Sequence, residues 1–285
     1  MSKQTGRNLP LSPLRKLVGD HQHFCGKVPA ATVERPLSLA ELRAARQECV
    51  PRPSWCAIFL KAMSMVGARH PQFRRAFLPF PWPHLYEHPD NIANFTIERR
   101  YRDEDVVFFV QVRRPERRSL TELDAIIHKC KVAPVESVKF FRRAIRLSKV
   151  PWPFRRLAWW VSLNQSGKLR AHNFGTFSVT STASEGAGAL ALLPLVTSTL
   201  HYGLFDDRGI LPARITFDHR VLDGAFVARG LVELEGVLQT TILEELRKAR
   251  ALKADSLRRA HVGTCEYVWI TTTRNREFAE EEGTV

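Results

Sequence analysis

The chain has no apolar run approaching the roughly 18–20 residues needed to cross a bilayer. Its start, Met1-Ser2-Lys3-Gln4-Thr5-Gly6-Arg7, leads into no apolar stretch of the kind a secretory leader carries, so no export signal is expected. The five cysteines (25, 49, 56, 130 and 265) are odd in number and scattered. That argues for reduced thiols in a cytoplasm rather than a disulfide framework. Phosphate-cradling glycine loops of the Gly-x-Gly-x-x-Gly or Gly-Lys-Ser/Thr kind are absent, so nucleotide hydrolysis and dinucleotide redox chemistry have no support. Gly-x-Ser-x-Gly is missing too, which argues against a hydrolase triad. No internal repeat is visible, and no linker is rich enough to split the chain.

Acid is also short: 29 Asp and Glu stand against 43 Lys and Arg, for a net charge of +14. Such a balance implies a polyanionic partner, whether nucleic acid, an anionic membrane face, or an acidic substrate such as coenzyme A. No helix-turn-helix, zinc-finger or RNA-recognition pattern accompanies the charge, so nucleic acid is disfavoured. In other respects the composition is that of a globular protein, with 44% hydrophobic and 25% charged residues. A length of 285 residues leaves ample material for one buried core.

The chain divides into a flexible tip (1–10), a catalytic-sized domain (11–250) and a charged C-terminal extension (251–285), in which 267–273 reads as an edge strand. Ser38 to Glu41 has the Ser-x-x-Glu form of a capping box opening a short helix. His21, His23 and Cys25 alternate as three ligands on one strand face would, but no second cluster completes a metal site. Residues 54–70 show helical spacing. The loop Leu78-Pro79-Phe80-Pro81-Trp82-Pro83-His84 displays Phe80 and Trp82 rigidly, as core plugs or, alternatively, as an entrance lining. Residues 94–101 and 105–112 read as strands around a charged turn, the second apolar on both faces as an interior strand would be. Ser119 to Glu122 is a further capping box.

Between 139 and 160 there are seven Lys or Arg and no acid, interleaved with Phe and Trp. Two readings stay open. In one, Arg142, Arg143, Arg155, Arg156, Trp159 and Trp160 meet an anionic membrane or acidic ligand. In the other, this is an amphipathic lid whose aromatics enter the core and whose cations are solvated.

The conspicuous motif is Phe217-Asp218-His219-Arg220-Val221-Leu222-Asp223-Gly224-Ala225, between a strand-like run (213–217) and a long helical pattern (about 225–250). It holds one imidazole at a strand-to-helix junction between two carboxylates. One acid can fix the loop while the other biases the charge of the imidazole. Gly175 to Thr182 is a strand with alternating hydroxyls. Transfer of an acyl group from a thioester needs a base for the acceptor's proton and a donor for the oxyanion. A histidine suits the first role at neutral pH, and a hydroxyl suits the second.

Residues 218–225 resemble, without a gap, the signature of the dihydrolipoamide acyltransferase cores of the 2-oxoacid dehydrogenase complexes. Those cores share a fold with chloramphenicol acetyltransferase. Gly175 to Ser181 is similar to the family's Gly-Thr-Phe-Thr-Ile-Ser-Asn strand, and Leu14 to Lys16, Val28 to Thr32 and Leu39 to Arg46 are similar to its opening segment. The likeness covers about 10–247, although Phe108 to Pro115 replaces the family's central Gly-Leu-x-x-Pro-Val-Ile strand. It implies an α/β fold with a chloramphenicol acetyltransferase-like mixed sheet and flanking helices, and a homotrimer with its site between subunits. It further implies His219 as base and Thr180 as oxyanion donor, with Ser181 or Thr182 as alternatives. Asp223 would hold the active-site loop, through Arg15 as the guessed partner, with Asp218 and Gly224 as further loop support. The co-substrate would be acyl-CoA or an acyl-carrier thioester, with no tightly bound cofactor and no metal. No lipoyl arm precedes the likeness, which suggests a stand-alone acyltransferase, cytoplasmic or peripheral at a membrane. The alternative is a non-catalytic scaffold or membrane-surface adaptor using 139–160.

Overall fold

A computed structural model describes residues 6–189 and 194–251. The C-terminal extension, with its expected strand at 267–273, therefore lies outside the described residues, apart from Ala251. The chain opens with helix α1 (Pro13–Cys25), strand β1 (Ala30–Ser38) and helix α2 (Ala40–Gln47), then helix α3 (Trp55–Arg69). A short hairpin, β2 (Arg75–Leu78) and β3 (His84–Glu87), precedes a long one, β4 (Ile92–Tyr101) and β5 (Glu104–Arg113). Four helices follow: α4 (Leu120–Val132), α5 (Lys139–Ser148), α6 (Trp152–Asn164) and α7 (Gly167–Phe174). Strands β6 (Phe177–Thr180), β7 (Ser198–Tyr202) and β8 (Ile210–Asp218) lead into α8 (Gly224–Val237). A π-helical turn, Leu238–Ile242, continues into helix at 243–251.

Six strands form one mixed sheet in the order β1-β8-β7-β6-β4-β5, with β4, β6 and β7 parallel and the other pairs antiparallel. The fold is thus the expected mixed sheet flanked by helices. Period-two alternation gives the sheet two unlike faces. Phe95, Val179, Leu200, Ile215 and Phe217 fill the core on one face, against α3, whose residues from Ala57 to Met63 are all buried. A helix apolar all round can only be stable when covered on every side, which is where α3 lies. The opposite face carries Thr32, Glu34, Asn94, Thr96, Ser178, Thr180, Thr199, His201, Arg214 and Thr216, as the strand registers dictate.

Local signals fix several element ends, among them the expected capping box at Ser119. Ser54 caps α3 by accepting from the Ala57 N–H, and Ser119 with Glu122 forms a reciprocal capping box on α4. Gly175 enters β6 at φ 77°, and a Cβ there would fall 2.6 Å from the Ile92 carbonyl oxygen, so only glycine fits.

Other expectations are corrected by tertiary contact. Ser38 is the last residue of β1 rather than a cap; its N–H donates to Glu235, and α2 starts without a side-chain cap. His21, His23 and Cys25 lie on a helix, not a strand, with the His21 ring stacked on Phe109 and 3.5 Å from the Cys25 sulfur. Among the described residues strand β5 is an edge, not an interior strand, and Val107 and Phe109 are about half exposed. Phe80 and Trp82 are exposed at the tip of the β2–β3 hairpin instead of plugging the core.

Candidate active site

His219 follows the last residue of β8. Its backbone N–H donates to Pro29 O (2.9 Å), while the Asp218 carbonyl accepts from the N–H groups of Val221 and Leu222. The tight turn leaves the imidazole about half exposed, with Nδ1 3.9 Å from Asp223 Oδ1. Asp223 is the N-cap of α8, but its carboxylate makes no cap hydrogen bond and stays in solvent beside the imidazole. It can accept from an Nδ1–H and steady an imidazolium, and nothing clamps it in place.

The acid that fixes the loop is Asp218. It is buried and takes both Nε and an Nη of Arg220 at 2.9 and 2.7 Å, plus the Arg220 N–H at 3.0 Å. The Arg220 guanidinium lies 4.4 Å from the Phe77 ring centre on β2. Arg15 does not reach Asp223: its side chain is exposed, its N–H donates to Ser12, and it forms no ion pair among the described residues. Gly224 is not sterically demanded either, because a Cβ there would meet only Val33 at an ordinary 3.9 Å.

The hydroxyls lie elsewhere. Thr180 Oγ1 is 3.0 Å from Thr96 Oγ1. Ser181 donates to Tyr202 O and Thr182 to Ala187 O, both at 2.8 Å, so those two protons are already committed. If Thr96 donates to Thr180, the Thr180 proton is left for another acceptor, which singles it out among the three.

Register sets the distance between the two groups. Thr180 pairs with His201 and His201 with Arg214, so Thr180 sits level with a β8 residue five positions before His219 and two strands away. At about 3.4 Å per residue and about 4.8 Å per strand, roughly 20 Å separates them. Within one chain the imidazole and the hydroxyl are far apart: Thr180 is level with the middle of β8, and His219 lies just past the end of that strand.

No protein-family model matches the sequence, and no curated protein does. Solved structures do. The dihydrolipoamide acetyltransferase of Azotobacter vinelandii superposes with a TM-score of 0.60 at 18% identity, over 83% of this chain and 93% of that one. A probable dihydrolipoamide acetyltransferase from Listeria monocytogenes gives 0.57 at 16% identity, over 82% and 94%. The cubic core of a pyruvate dehydrogenase multienzyme complex gives 0.58 at 19%, over 84% and 93%. This chain has the dihydrolipoamide acetyltransferase core fold.

Within that acetyltransferase fold, three residues with no signal in the sequence organise the site. Arg170 on α7 is buried and donates to the carbonyls of Phe77, Leu163 and Leu195, tying the β2 hairpin to α6 beside Asp218. Burial pulls its guanidinium down to about 10, against the pull of Asp218, so it remains a cation at neutral pH. His201 on β7 is fully buried, and its Nε2 accepts from the Ala189 N–H at 3.3 Å. Burial first, then the neighbouring Arg214, hold it below the ordinary imidazole range, so it is neutral at pH 7. Thr96 supplies the partner hydroxyl of Thr180. A lone Arg in α7, a His in a short apolar strand and a Thr in a hairpin look ordinary until strand pairing assembles them.

The 139–160 stretch splits between the two readings. Arg155 and Trp159 are buried: Arg155 forms an ion pair with Asp20, also buried, and Trp159 stacks on Phe24 with 5.8 Å between centres. Arg156 is half-buried and donates to the other oxygen of Asp20 at 2.7 Å. These three are structural, against the expectation that they meet a ligand. Arg142 is exposed and has no ion pair among the described residues, Arg143 reaches Asn173, and Trp160 is exposed.

Proposed function

We propose that the protein is an acyltransferase that moves an acyl group from an acyl thioester, on coenzyme A or a carrier, to a thiol, hydroxyl or amine. His219 is the general base. It takes the acceptor's proton as the acceptor attacks the thioester carbonyl, and the tetrahedral oxyanion accepts the Thr180 hydroxyl hydrogen bond. Collapse breaks the carbon–sulfur bond, and the departing thiolate takes the proton back from the imidazolium, which Asp223 steadies meanwhile. No covalent enzyme intermediate is needed. The Azotobacter vinelandii acetyltransferase was studied for the catalytic role of a serine, a histidine and an asparagine, the last two four positions apart. His219 and Asp223 have that spacing.

The observation that carries this reading is the separation of the two groups. A base and an oxyanion donor roughly 20 Å apart cannot serve one substrate, so a complete site needs His219 of one subunit and Thr180 of another, as in a cyclic homotrimer. The exposed edge supports this. Phe109 pairs with Thr96, so Val107 and Phe109 lie on the same sheet face as Thr180, where a neighbouring chain covering them would bring its own groups.

Replacing His219 by Gln should reduce thioester consumption across an acyl-CoA panel about 100- to 10,000-fold with the fold intact. Mixing dissociated His219→Gln and Thr180→Val subunits and reassembling them should restore about a quarter of the sites, because a heterologous interface combines groups from two chains. Wild-type rates in His219→Gln would remove the base. Failure of mixed subunits to recover any activity would remove the shared site.

A further inference from the structure

We infer that a second surface of the molecule docks on the face of a bilayer containing anionic lipid. Two segments some seventy residues apart in the chain form it: the β2–β3 hairpin tip and the outer side of α6. On α6, Phe154, Leu157 and Trp160 follow one another at helical spacing and point outward, and Trp152 opens the helix at its base. From the hairpin, Phe80 brings its ring to 6.0 Å from that of Trp160, and Trp82 projects beyond it at 69% exposure. A protein surface tolerates single exposed apolar residues, but four large ones within nine residues of one helix, with Phe80 of the hairpin against Trp160, need a partner.

The patch is held rigidly. The His84 ring donates to Trp82 O at 2.7 Å, Arg156 lies against the Trp152 ring, and Asp20 clamps Arg155 and Arg156 from α1. Its backing is the framework of the His219 loop, since Arg170 bonds both Phe77 of the hairpin and Leu163 of α6.

Charge decides what the partner is. From Ser137 to Ser184 the chain contains nine Lys or Arg and no Asp or Glu. Arg142, Arg143 and Arg146 on α5 and Lys149 at the α5–α6 corner are exposed, and none has a carboxylate partner among the described residues. Lys16 of α1 faces the same corner across an open cleft shared with Trp152 and Val150. Two such cationic faces would repel each other, whereas an anionic headgroup layer neutralises them as the Trp, Phe and Leu side chains sink into the interface. This inference does not depend on acyl transfer.

The test is co-sedimentation of the full chain with phosphatidylcholine vesicles, with and without 30% phosphatidylglycerol. Binding is expected to require the anionic lipid and to fall with salt. The pair Trp82→Ser and Trp160→Ser should weaken it about tenfold or more, as should Arg142→Gln with Arg143→Gln and Arg146→Gln. Arg155 and Arg156 are left alone because their loss would break the Asp20 clamp. Unchanged thermal melting shows that the variants fold. Equal binding to neutral vesicles, or binding indifferent to both variant sets, overturns the inference. So does a change of oligomeric state in the Trp variant by sedimentation velocity, which would mean that a second copy covers the patch.

Discussion

At the end of the sheet where β8 stops, full charges hold the loop: buried Asp218 grips Arg220, and Arg170 lies close behind, bonded to three carbonyls. In the middle of the sheet, around Thr180, the groups are hydroxyls and a buried neutral imidazole, and the ion pair of Arg214 with Glu34 lies one strand beyond that imidazole. The difference matches the roles proposed above for the two regions. A charged lattice can fix a tight turn so that one imidazole projects from it. An oxyanion donor needs a proton that is not already committed, and a hydroxyl chain leaves one.

The largest effect expected from this contrast is on stability at the charged end. Asp218→Ala removes the partner of the part-exposed Arg220 and the nearby counter-charge of the buried Arg170, which should cost about 3 kcal/mol in urea or thermal unfolding. A loss below about 1 kcal/mol would mean that charge does not hold this loop. Next comes activity in the hydroxyl region. Thr180→Val should lower kcat/KM about 100- to 1,000-fold, with Thr180→Ser retaining most of it, while Ser181→Ala and Thr182→Ala do far less. Equal losses at the three positions would spread the role over the whole segment.

A smaller effect concerns pH. The folded chain holds His201 below the usual 6.5, so the unfolded chain binds more protons as pH falls past 6.5. Stability from this group is therefore complete above pH 6.5 and declines below it, by at most about 1.4 kcal/mol per pH unit. His201→Gln should flatten the fall in melting temperature between pH 7 and pH 5. An unaltered slope would assign the titration to His21, His23 or His172, which burial shifts the same way. The smallest effect is at Gly224, where Ala should change stability by no more than about 0.5 kcal/mol, because there is room for the methyl group.

Much of the fold was legible because its signals are local. The helix over 54–70, the cap at Ser119, the turn at 102–104, the strand at 213–217 and the helix after Asp223 all come from residues close together in sequence. The reading failed where a contact spans the chain. Ser38 looks like a cap until Glu235, nearly two hundred residues away, takes its N–H. Arg155 reads as a solvated cation or a ligand contact until Asp20 of α1 buries it, whereas Trp159 enters the core on Phe24 as the lid reading had it. Local spacing could not reveal that, among the described residues, no strand lies beyond β5.

The motif at 217–225 shows where the boundary falls. The sequence alone determined that His219 stands at a strand-to-helix junction between two acids, since backbone preference and spacing are properties of neighbours. Tertiary structure decided which acid does what. Asp218 points inward to Arg220 and the neighbourhood of Arg170, while Asp223 stays in water, and burial makes one charge a fastener and leaves the other free. It also decided that Thr180 is not beside His219, because strand order and register are long-range choices that no local pattern encodes.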